Sequence, residues 1–195
     1  MIYFTSDMHF GHANVIKYCA RPFASVEEMN EIIVRNWNEV VQPEDTVYCL
    51  GDISMGFTVV EAYSHRLNGN KILVPGNHDF CHSYHKKSRK PENQKEWLEK
   101  YARLGWTVLP EQTTLDIPGV ATVNMCHHPY VLIGPGDDKY ENWRPKDDGR
   151  WLICGHVHEK WKVVGKMINV GVDQWGFKPI SIDEIARIIC TSSTT

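Results

Sequence analysis

Short apolar runs alternate with longer amphipathic stretches along this chain. Apolar runs bounded by turn residues predict five strands, at Ile2–Ser6, Thr46–Leu50, Lys71–Val74, Ala121–Cys126 and Trp151–Cys154. Helical spacing predicts four helices, at Val26–Val41, Thr58–Leu67, Asn93–Leu104 and Asp183–Ile189. A hairpin with Gly165 in its turn is predicted between Lys162–Val164 and Met167–Val170. Strands that alternate with helices, followed by strand-rich sequence, predict a layered α/β fold.

The first long helix has the clearest boundary signal. Met29, Ile33 and Trp37 recur at helical spacing on one side. Ser25 is the predicted N-cap, and Glu28, three residues later, completes a capping box.

Two segments read as long loops: Phe80–Glu92, which is basic, and Gly134–Gly149, which is rich in Gly, Pro and Asp. Neither has the composition of a linker between domains, and a length of 195 residues suits one domain with a substantial core. We therefore expect a single domain over residues 1–190, followed by a disordered tail over residues 191–195.

Composition narrows the class of protein. The formal net charge is -3 and the sequence pI about 6.4, which argues against a broad basic face and stable nucleic-acid binding. No window approaches the roughly 18 apolar residues that span a bilayer, and the predicted strand at the very start argues against a cleaved signal segment. The six cysteines show no C-x-x-C spacing, so buried free thiols and a cytoplasmic location are expected.

Candidate chemistry follows the ends of the five predicted strands. The clusters are Asp7-Met8-His9, Gly51-Asp52, Gly76-Asn77-His78-Asp79, His127-His128 and Gly155-His156-Val157-His158. Because open α/β sheets bind ligands at the carboxyl ends of their strands, these clusters are expected to meet at one edge.

The residue types and their spacing indicate a metal centre. In an extended segment, side chains at i and i+2 point to the same face, so Asp7 and His9 can reach one ion and His156 and His158 can reach a shared site. Carboxylate and imidazole ligands suit divalent Mn, Fe, Zn, Co or Ni, and the motifs contain no thiolate of the kind found in structural zinc sites.

Each cluster alone also fits a turn or a helix cap. Their occurrence in this order, each after a strand, favours a shared site.

In these residues the chain resembles the calcineurin-like metallophosphoesterase superfamily. The ordered signature is Asp-x-His, Gly-Asp, Gly-Asn-His-Asp, a later His, and Gly-His-x-His, and the match runs from about Ile2 to Asp173. The segment from Ile2 to His12, with Arg21-Pro22-Phe23 after it, is similar to compact bacterial and viral members. The resemblance implies a four-layer α/β/β/α sandwich with two divalent metal ions at the strand ends, Mn being the favoured ion.

The resemblance also implies a role for each residue. One ion would be held by Asp7, His9 and His158, and the other by Asn77, His127 and His156, with Asp52 as the bridge. His78 would touch the phosphate and protonate or stabilise the leaving oxygen, and Asp79 would orient His78.

Three further residues are candidates for substrate contact. His12 can reach a substrate phosphate or simply start a helix. His127 is favoured as the ligand, and His128 can instead be the ligand, face substrate or cap the strand end. Arg21 can contact substrate or belong to a solvated helix face.

The leading hypothesis is a phosphodiesterase that uses a metal-activated water, with a small phosphate ester or a nucleotide as substrate. The alternatives are a phosphomonoesterase of the same fold and a catalytically silent metal-binding scaffold. The sequence carries no element that separates the esters or reports the oligomeric state.

Overall fold

The computed structural model describes residues 1–133 and 139–192. Within them lie ten strands: β1 (Ile2–Thr5), β2 (Thr46–Cys49), β3 (Asn70–Leu73), β4 (Trp106–Val108), β5 (Gln112–Ile117), β6 (Ala121–Cys126), β7 (Leu152–Cys154), β8 (Val163–Val164), β9 (Met167–Asn169) and β10 (Ile180–Ser181). The helices are α1 (Ala13–Tyr18), α2 (Val26–Val40), α3 (Phe57–Ser64), α4 (Pro91–Arg103) and α5 (Ile182–Ser192).

The strands form two five-stranded sheets. The first has the order β10-β1-β2-β3-β4, in which β1 to β4 are parallel and β10 pairs antiparallel with β1. The second has the order β5-β6-β7-β9-β8, in which β6, β7 and β9 are parallel. The carboxyl ends of neighbouring parallel strands therefore lie side by side in each sheet.

Two large apolar clusters hold these layers together. One joins the first sheet to helices α2, α3 and α4, for example through Trp37, Val60 and Tyr101. The other fills the space between the two sheets, where Phe4 of β1 meets Ile153 of β7 and the apolar side of α5. The α/β class that the alternating pattern predicts is thus confirmed.

The outer face of the second sheet carries a smaller cluster. Because neighbouring residues of a strand point to opposite faces, Leu152 and Cys154 lie on the side away from Ile153. Tyr130 and Trp161, both outside regular strands, pack there. The fourth, helical layer of the expected sandwich stays a prediction.

The capping prediction for α2 is confirmed, with one change. The Ser25 hydroxyl accepts the Glu28 backbone N–H at 3.1 Å. The Glu28 carboxylate accepts the N–H of Ala24 at 2.7 Å, one residue earlier than a capping box requires.

Other boundaries differ from the sequence-based expectation. Helix α1 and strands β4, β5 and β10 were not predicted, and α5 extends to Ser192, so the first two residues of the expected tail are helical. Residues 193–195 of that tail, and residues 134–138 of the expected long loop, lie outside the described residues. The rest of that loop includes a 3-10 turn at Glu141–Trp143.

Four cysteines are buried free thiols, as expected: Cys49, Cys81, Cys126 and Cys154. Within the described ranges, no helix is both long and apolar enough to cross a membrane.

Candidate metal centre

The two sheets bring the five strand-end clusters to one place. Strands β1, β2 and β3 deliver the residues after Thr5, Cys49 and Leu73, and strands β6 and β7 deliver those after Cys126 and Cys154. The Ser6–Gly171 bridge links the two strand-end regions, because the Val172 N–H donates to the Ser6 carbonyl at 3.0 Å.

The backbone at the strand ends is not extended, in contrast to the sequence-based expectation. Five of the residues adopt positive φ: Asp7 (56°), His9 (51°), Asp52 (56°), His156 (72°) and His158 (48°). Left-handed backbone is uncommon for residues other than glycine. The i, i+2 spacing does bring Asp7 and His9 together, but through left-handed turns beyond the strand. It does not send His156 and His158 to the same group of ligands.

The first group of ligand atoms belongs to Asp7, His9 and His158. Their candidate donor atoms all lie within 4.8 Å of one another. The Asp7 Oδ1 is 4.0 Å from His9 Nε2 and 3.8 Å from His158 Nε2. Its other oxygen, Oδ2, accepts from the Ser6 hydroxyl at 2.7 Å and the His156 N–H at 2.9 Å, so Oδ1 is the oxygen left to bind a cation.

The second group surrounds Asp52. The Asp52 Oδ2 lies 3.5 Å from His127 Nε2 and 3.6 Å from His9 Nε2, so this carboxylate touches both groups. The Nδ1 of His156 faces the Nε2 of His127 at 3.2 Å. Two imidazole nitrogens that face each other beside a carboxylate are arranged as ligands of one cation.

Several buried atoms in this region lack a hydrogen-bond partner among the described residues. They are Asp7 Oδ1, both nitrogens of His9, Asn77 Oδ1 and both nitrogens of His128. Buried polar atoms without partners are costly and rare. Divalent cations would satisfy Asp7 Oδ1, one nitrogen of His9 and Asn77 Oδ1, so this donor set fits the metals that the fold family uses.

The pKa shifts of these residues also fit metal binding. Burial lowers the pKa of His9 and of His156 well below the usual value, which keeps both imidazoles neutral, as metal ligands must be. Burial alone would raise the pKa of Asp52, but the imidazoles of His127, His78 and His9 outweigh it and hold that pKa below its usual range.

The side chains of His127 and His128 lie in different environments. The Nδ1 of His127 is 2.7 Å from the Leu50 carbonyl, which it reaches as a donor, and this fixes Nε2 towards Asp52. His128 is also fully buried and belongs to a potential ligand group with His127 and His156. Its ring packs against Tyr140 at 5.1 Å between centroids. The geometry supports His127 as the ligand beside Asp52.

His78 borders the site, and its side chain is 36% exposed. Its backbone N–H donates to Asp52 Oδ1 at 2.9 Å, and its Nε2 is 3.9 Å from Asp52 Oδ2. The backbone of His78 is therefore held by the central carboxylate, and the imidazole beside it remains partly exposed.

Asp79 has different partners from those that an orienting role towards His78 implies. Its two carboxylate oxygens accept the backbone N–H groups of Asp52 (2.9 Å), Ile53 (3.2 Å) and Gly76 (2.8 Å). Burial is the larger cause and the negative charge of Asp52 the smaller cause that raise the pKa of Asp79 to about 7. The carboxyl group thus joins the turns that follow β2 and β3, and it positions Asp52 through the backbone.

Arg21 is buried, with only 4% of the residue exposed. Its guanidinium donates to both oxygens of Asp173, at 2.7 and 2.8 Å, and to the carbonyls of Asp7 (2.7 Å) and Met8 (3.0 Å). The expectation of a solvated helix face is therefore wrong, and that of substrate contact stays a prediction. Arg21 braces the segment that carries the first ligand group.

His12, the remaining candidate for substrate contact, lies just before α1. Its ring centroid is 5.4 Å from that of His9, and its Nδ1 is buried. It therefore lies beside the first ligand group.

Two residues that support His158 were not predicted from the sequence. Asp173 is 3.4 Å from the Nδ1 of His158, and Asn169 donates to the His158 carbonyl at 2.8 Å. Burial alone would lower the pKa of His158, but Asp7 and Asp173 outweigh it and raise that pKa to about 11. Neither residue belongs to a spaced motif, so only the fold reveals them.

The chain is similar to known proteins. Residues 1–160 match the calcineurin-like phosphoesterase family. The chain is 33% identical to the uncharacterized protein MJ1445 of Methanocaldococcus jannaschii, over 96% of this chain and 90% of that protein. It is also 33% identical to the gene 66 protein of Mycobacterium phage L5, over 96% of this chain and 93% of that protein.

A solved structure is similar along the whole chain. The protein of unknown function AQ665 from Aquifex aeolicus superposes with a TM-score of 0.69 and 29% identity, over 97% of this chain and 99% of that one. Together with the residues assembled at the strand ends, these matches place the chain in the calcineurin-like phosphoesterase family, whose members are metal-dependent hydrolases of phosphate esters.

Proposed function

We propose that this protein is a binuclear metal-dependent phosphodiesterase. The observation that carries the proposal is the position of Asp52, whose Oδ2 lies 3.5 to 3.9 Å from the Nε2 atoms of His9, His127 and His78. One carboxylate between two groups of unsatisfied ligands suits a bridge between two cations. Asp7, His9 and His158 would hold one ion, and Asn77, His127 and His156 the other.

Divalent ions in such a pair lower the pKa of water, neutralise phosphoryl oxygens and orient an in-line displacement. Mn²⁺ is the ion we propose, because a mixed carboxylate, amide and imidazole donor set suits it.

The chain itself supplies the proton and the positioning. His78 is half-exposed beside Asp52, so its imidazole can donate a proton to the leaving oxygen of an ester bound there. Asp79 holds the turns that carry Asp52 and His78. Burial of the ligand carboxylates excludes water from one side of the site and strengthens the electrostatic interactions within it.

The test is hydrolysis of bis-p-nitrophenyl phosphate and p-nitrophenyl phosphate, side by side, by metal-stripped protein to which Mn²⁺ is returned. We expect two Mn²⁺ ions per chain and turnover of the diester that depends on Mn²⁺. His65→Ala is the matched control, because His65 is exposed at the end of α3 and, within the described residues, its side chain hydrogen-bonds to Glu61 of its own helix.

Each other outcome contradicts a named part of the proposal. Activity on the monoester alone indicates a phosphomonoesterase. Two bound ions without turnover of either ester contradict catalysis on such substrates and favour a metal-binding scaffold. Failure to bind two ions contradicts the binuclear centre.

A further inference from the structure

A cavity of about 470 Å³ opens beside the first ligand group, and its lining has two parts. The polar part consists of five histidines (His9, His12, His78, His156 and His158) together with Glu159 and Lys160. The apolar part includes Val15, Tyr18 and Met55. Small-molecule sites typically combine apolar walls with a few convergent polar groups in volumes of about 300–1,000 Å³.

The apolar part comes from two separate elements. Val15 and Tyr18 are three residues apart on α1, so they share one face of that helix. Met55 precedes α3. Tyr18 is 73% exposed and Met55 43% exposed, so two large side chains leave apolar surface open to water beside a polar site.

The polar part contains groups suited to an ester. His78 is the proposed proton donor, and its Nε2 is 3.9 Å from Asp52. The Nδ1 of His12 is buried and has no hydrogen-bond partner within the described part of the chain. A ligand that places its phosphate at the strand ends would therefore extend its organic group past His78 and His12 towards the apolar wall.

We infer that this cavity binds the organic group of the substrate, and that the group carries an aromatic or heteroaromatic ring, such as the base of a nucleoside. The inference rests on the proposed phosphoesterase function. A tyrosine ring and a methionine thioether both make favourable contacts with aromatic rings beyond simple burial. A purely aliphatic ester would gain only the free energy of burying its apolar surface.

The experiment measures binding without hydrolysis. Phenylphosphonate, methylphosphonate and inorganic phosphate are titrated calorimetrically into the Mn²⁺-loaded protein. Burial of about 60 Å² of ring at roughly 25 cal/mol per Å² corresponds to an affinity for phenylphosphonate about tenfold above that for methylphosphonate.

The variants locate the effect. The double variant Tyr18→Ala/Met55→Ala is expected to lose most of the phenyl preference while its affinity for inorganic phosphate is unchanged. Leu98→Ala is the control, because Leu98 is an exposed apolar residue of α4 that does not line the cavity. It is expected to retain the full preference.

The outcomes separate the two proposals. Equal affinities for the two phosphonates, or a phenyl preference that survives in the double variant, overturn the aromatic subsite and leave the phosphoesterase function standing. Failure of the Mn²⁺-loaded wild type to bind inorganic phosphate contradicts the phosphoesterase function, and the subsite with it.

Discussion

Five residues of the metal centre have left-handed backbone, a conformation that residues other than glycine adopt at a cost of about 1–3 kcal/mol each. Hydrogen bonds between the strand ends hold them there. The Asp7 N–H donates to the Gly51 carbonyl and the His9 N–H to the Asp52 carbonyl, both at 3.1 Å. Such strain persists where the surrounding structure over-determines it, which is typical of ligand-binding sites.

Substitutions at Asp52 and His78 should separate metal binding from chemistry. Asp52→Asn is expected to abolish binding of both ions, because an amide carries no charge to offset two cations. His78→Ala is expected to keep both ions and to lose about 10²- to 10⁴-fold in turnover, the usual contribution of a general acid.

Metal content by mass spectrometry and turnover of the diester, measured on the same samples, check this pair. Two ions bound at wild-type affinity by Asp52→Asn would remove its bridging role. Unchanged turnover of His78→Ala on an ester with a poor leaving group would remove His78 as the acid.

Metal binding should release a proton from His158. In the metal-free protein the pKa of His158 is raised to about 11, so the imidazole is protonated at pH 7. A ligand imidazole must be neutral, and the ion therefore displaces that proton. Apparent affinity for Mn²⁺ at the first ligand group should rise with pH through the neutral range, by about tenfold per pH unit for one proton.

Calorimetric titration in two buffers of different ionisation enthalpy counts the released protons. His158→Gln is the comparison, and it should release fewer protons at pH 7. Identical apparent binding enthalpies in the two buffers for wild type would contradict the protonated state of His158.

At the scale of elements, Arg21 and Asp173 join two segments that are far apart in sequence. Arg21 follows α1, and Asp173 lies in the 3-10 turn Val172–Gln174 after β9. Their bidentate pair is buried and leads directly to His158. Residues that orient a metal-ligating histidine typically change metal affinity 10- to 100-fold when removed.

Asp173→Asn is expected to weaken Mn²⁺ binding at the first ligand group by a factor in that range, because the Nδ1 of His158 loses its charged partner. Arg21→Met removes the bidentate partner of the buried Asp173 carboxylate, and it should cost about 3–5 kcal/mol of folding stability. Arg66→Met is the matched control, since Arg66 makes a bidentate pair with Glu31 in an exposed position and should change stability by at most about 1 kcal/mol.

Chelator competition and urea unfolding measure the two effects. Wild-type Mn²⁺ affinity in Asp173→Asn would contradict the positioning role.

A glycine at the end of β7 sets how closely the two sheets approach. A Cβ on Gly155 would lie 2.0 Å from the Ser6 hydroxyl and 2.5 Å from Asp7 Oδ2. Gly155→Ala is therefore expected to cost about 1–3 kcal/mol through overpacking and to weaken metal binding by displacing the Asp7 carboxylate. Gly56→Ala is the control, because its nearest neighbour would be 3.9 Å away.

Thermal unfolding with and without Mn²⁺ measures both variants. A Gly155→Ala protein with the stability and metal response of Gly56→Ala would contradict the close approach.

At the scale of the molecule, the proposed ligands come from both sheets. Asp7, His9, Asp52 and Asn77 follow strands of the first, and His127, His156 and His158 follow strands of the second. Bound ions would therefore link the two sheets. Free Mn²⁺ at about 100 times its Kd should add about 2.7 kcal/mol of stability for each site.

For a domain of this size, that gain corresponds to an increase in Tm of about 5–11 °C per site. Differential scanning fluorimetry with Mn²⁺, and again after excess chelator, checks it. An unchanged Tm would contradict the link between the sheets.

Much of the fold and of the candidate site could be predicted from the sequence, because the strongest signals lie within short segments of the chain. The apolar runs before Asp7, Asp52, Asn77, His127 and His156 all ended close to the predicted positions. By contrast, β4 has only three residues and β5 begins with three polar residues, so their pairing with β3 and β6 decides their structure. Arg21 and Asp173 are 152 residues apart, and such a contact leaves no pattern in a single sequence.

The pairing of β1 with β10 has a consequence for how the protein is made. Tyr3 and Phe4 of β1 pair with Ser181 and Ile180 of β10, so β1 gains this neighbour only after a segment far along the chain has been synthesised. Asp7 likewise lies beside His158, which is synthesised much later. A nascent chain that stops before residue 158 therefore cannot assemble the proposed ligand set, and metal loading should follow the synthesis of residue 158 rather than serve as a nucleus for earlier folding.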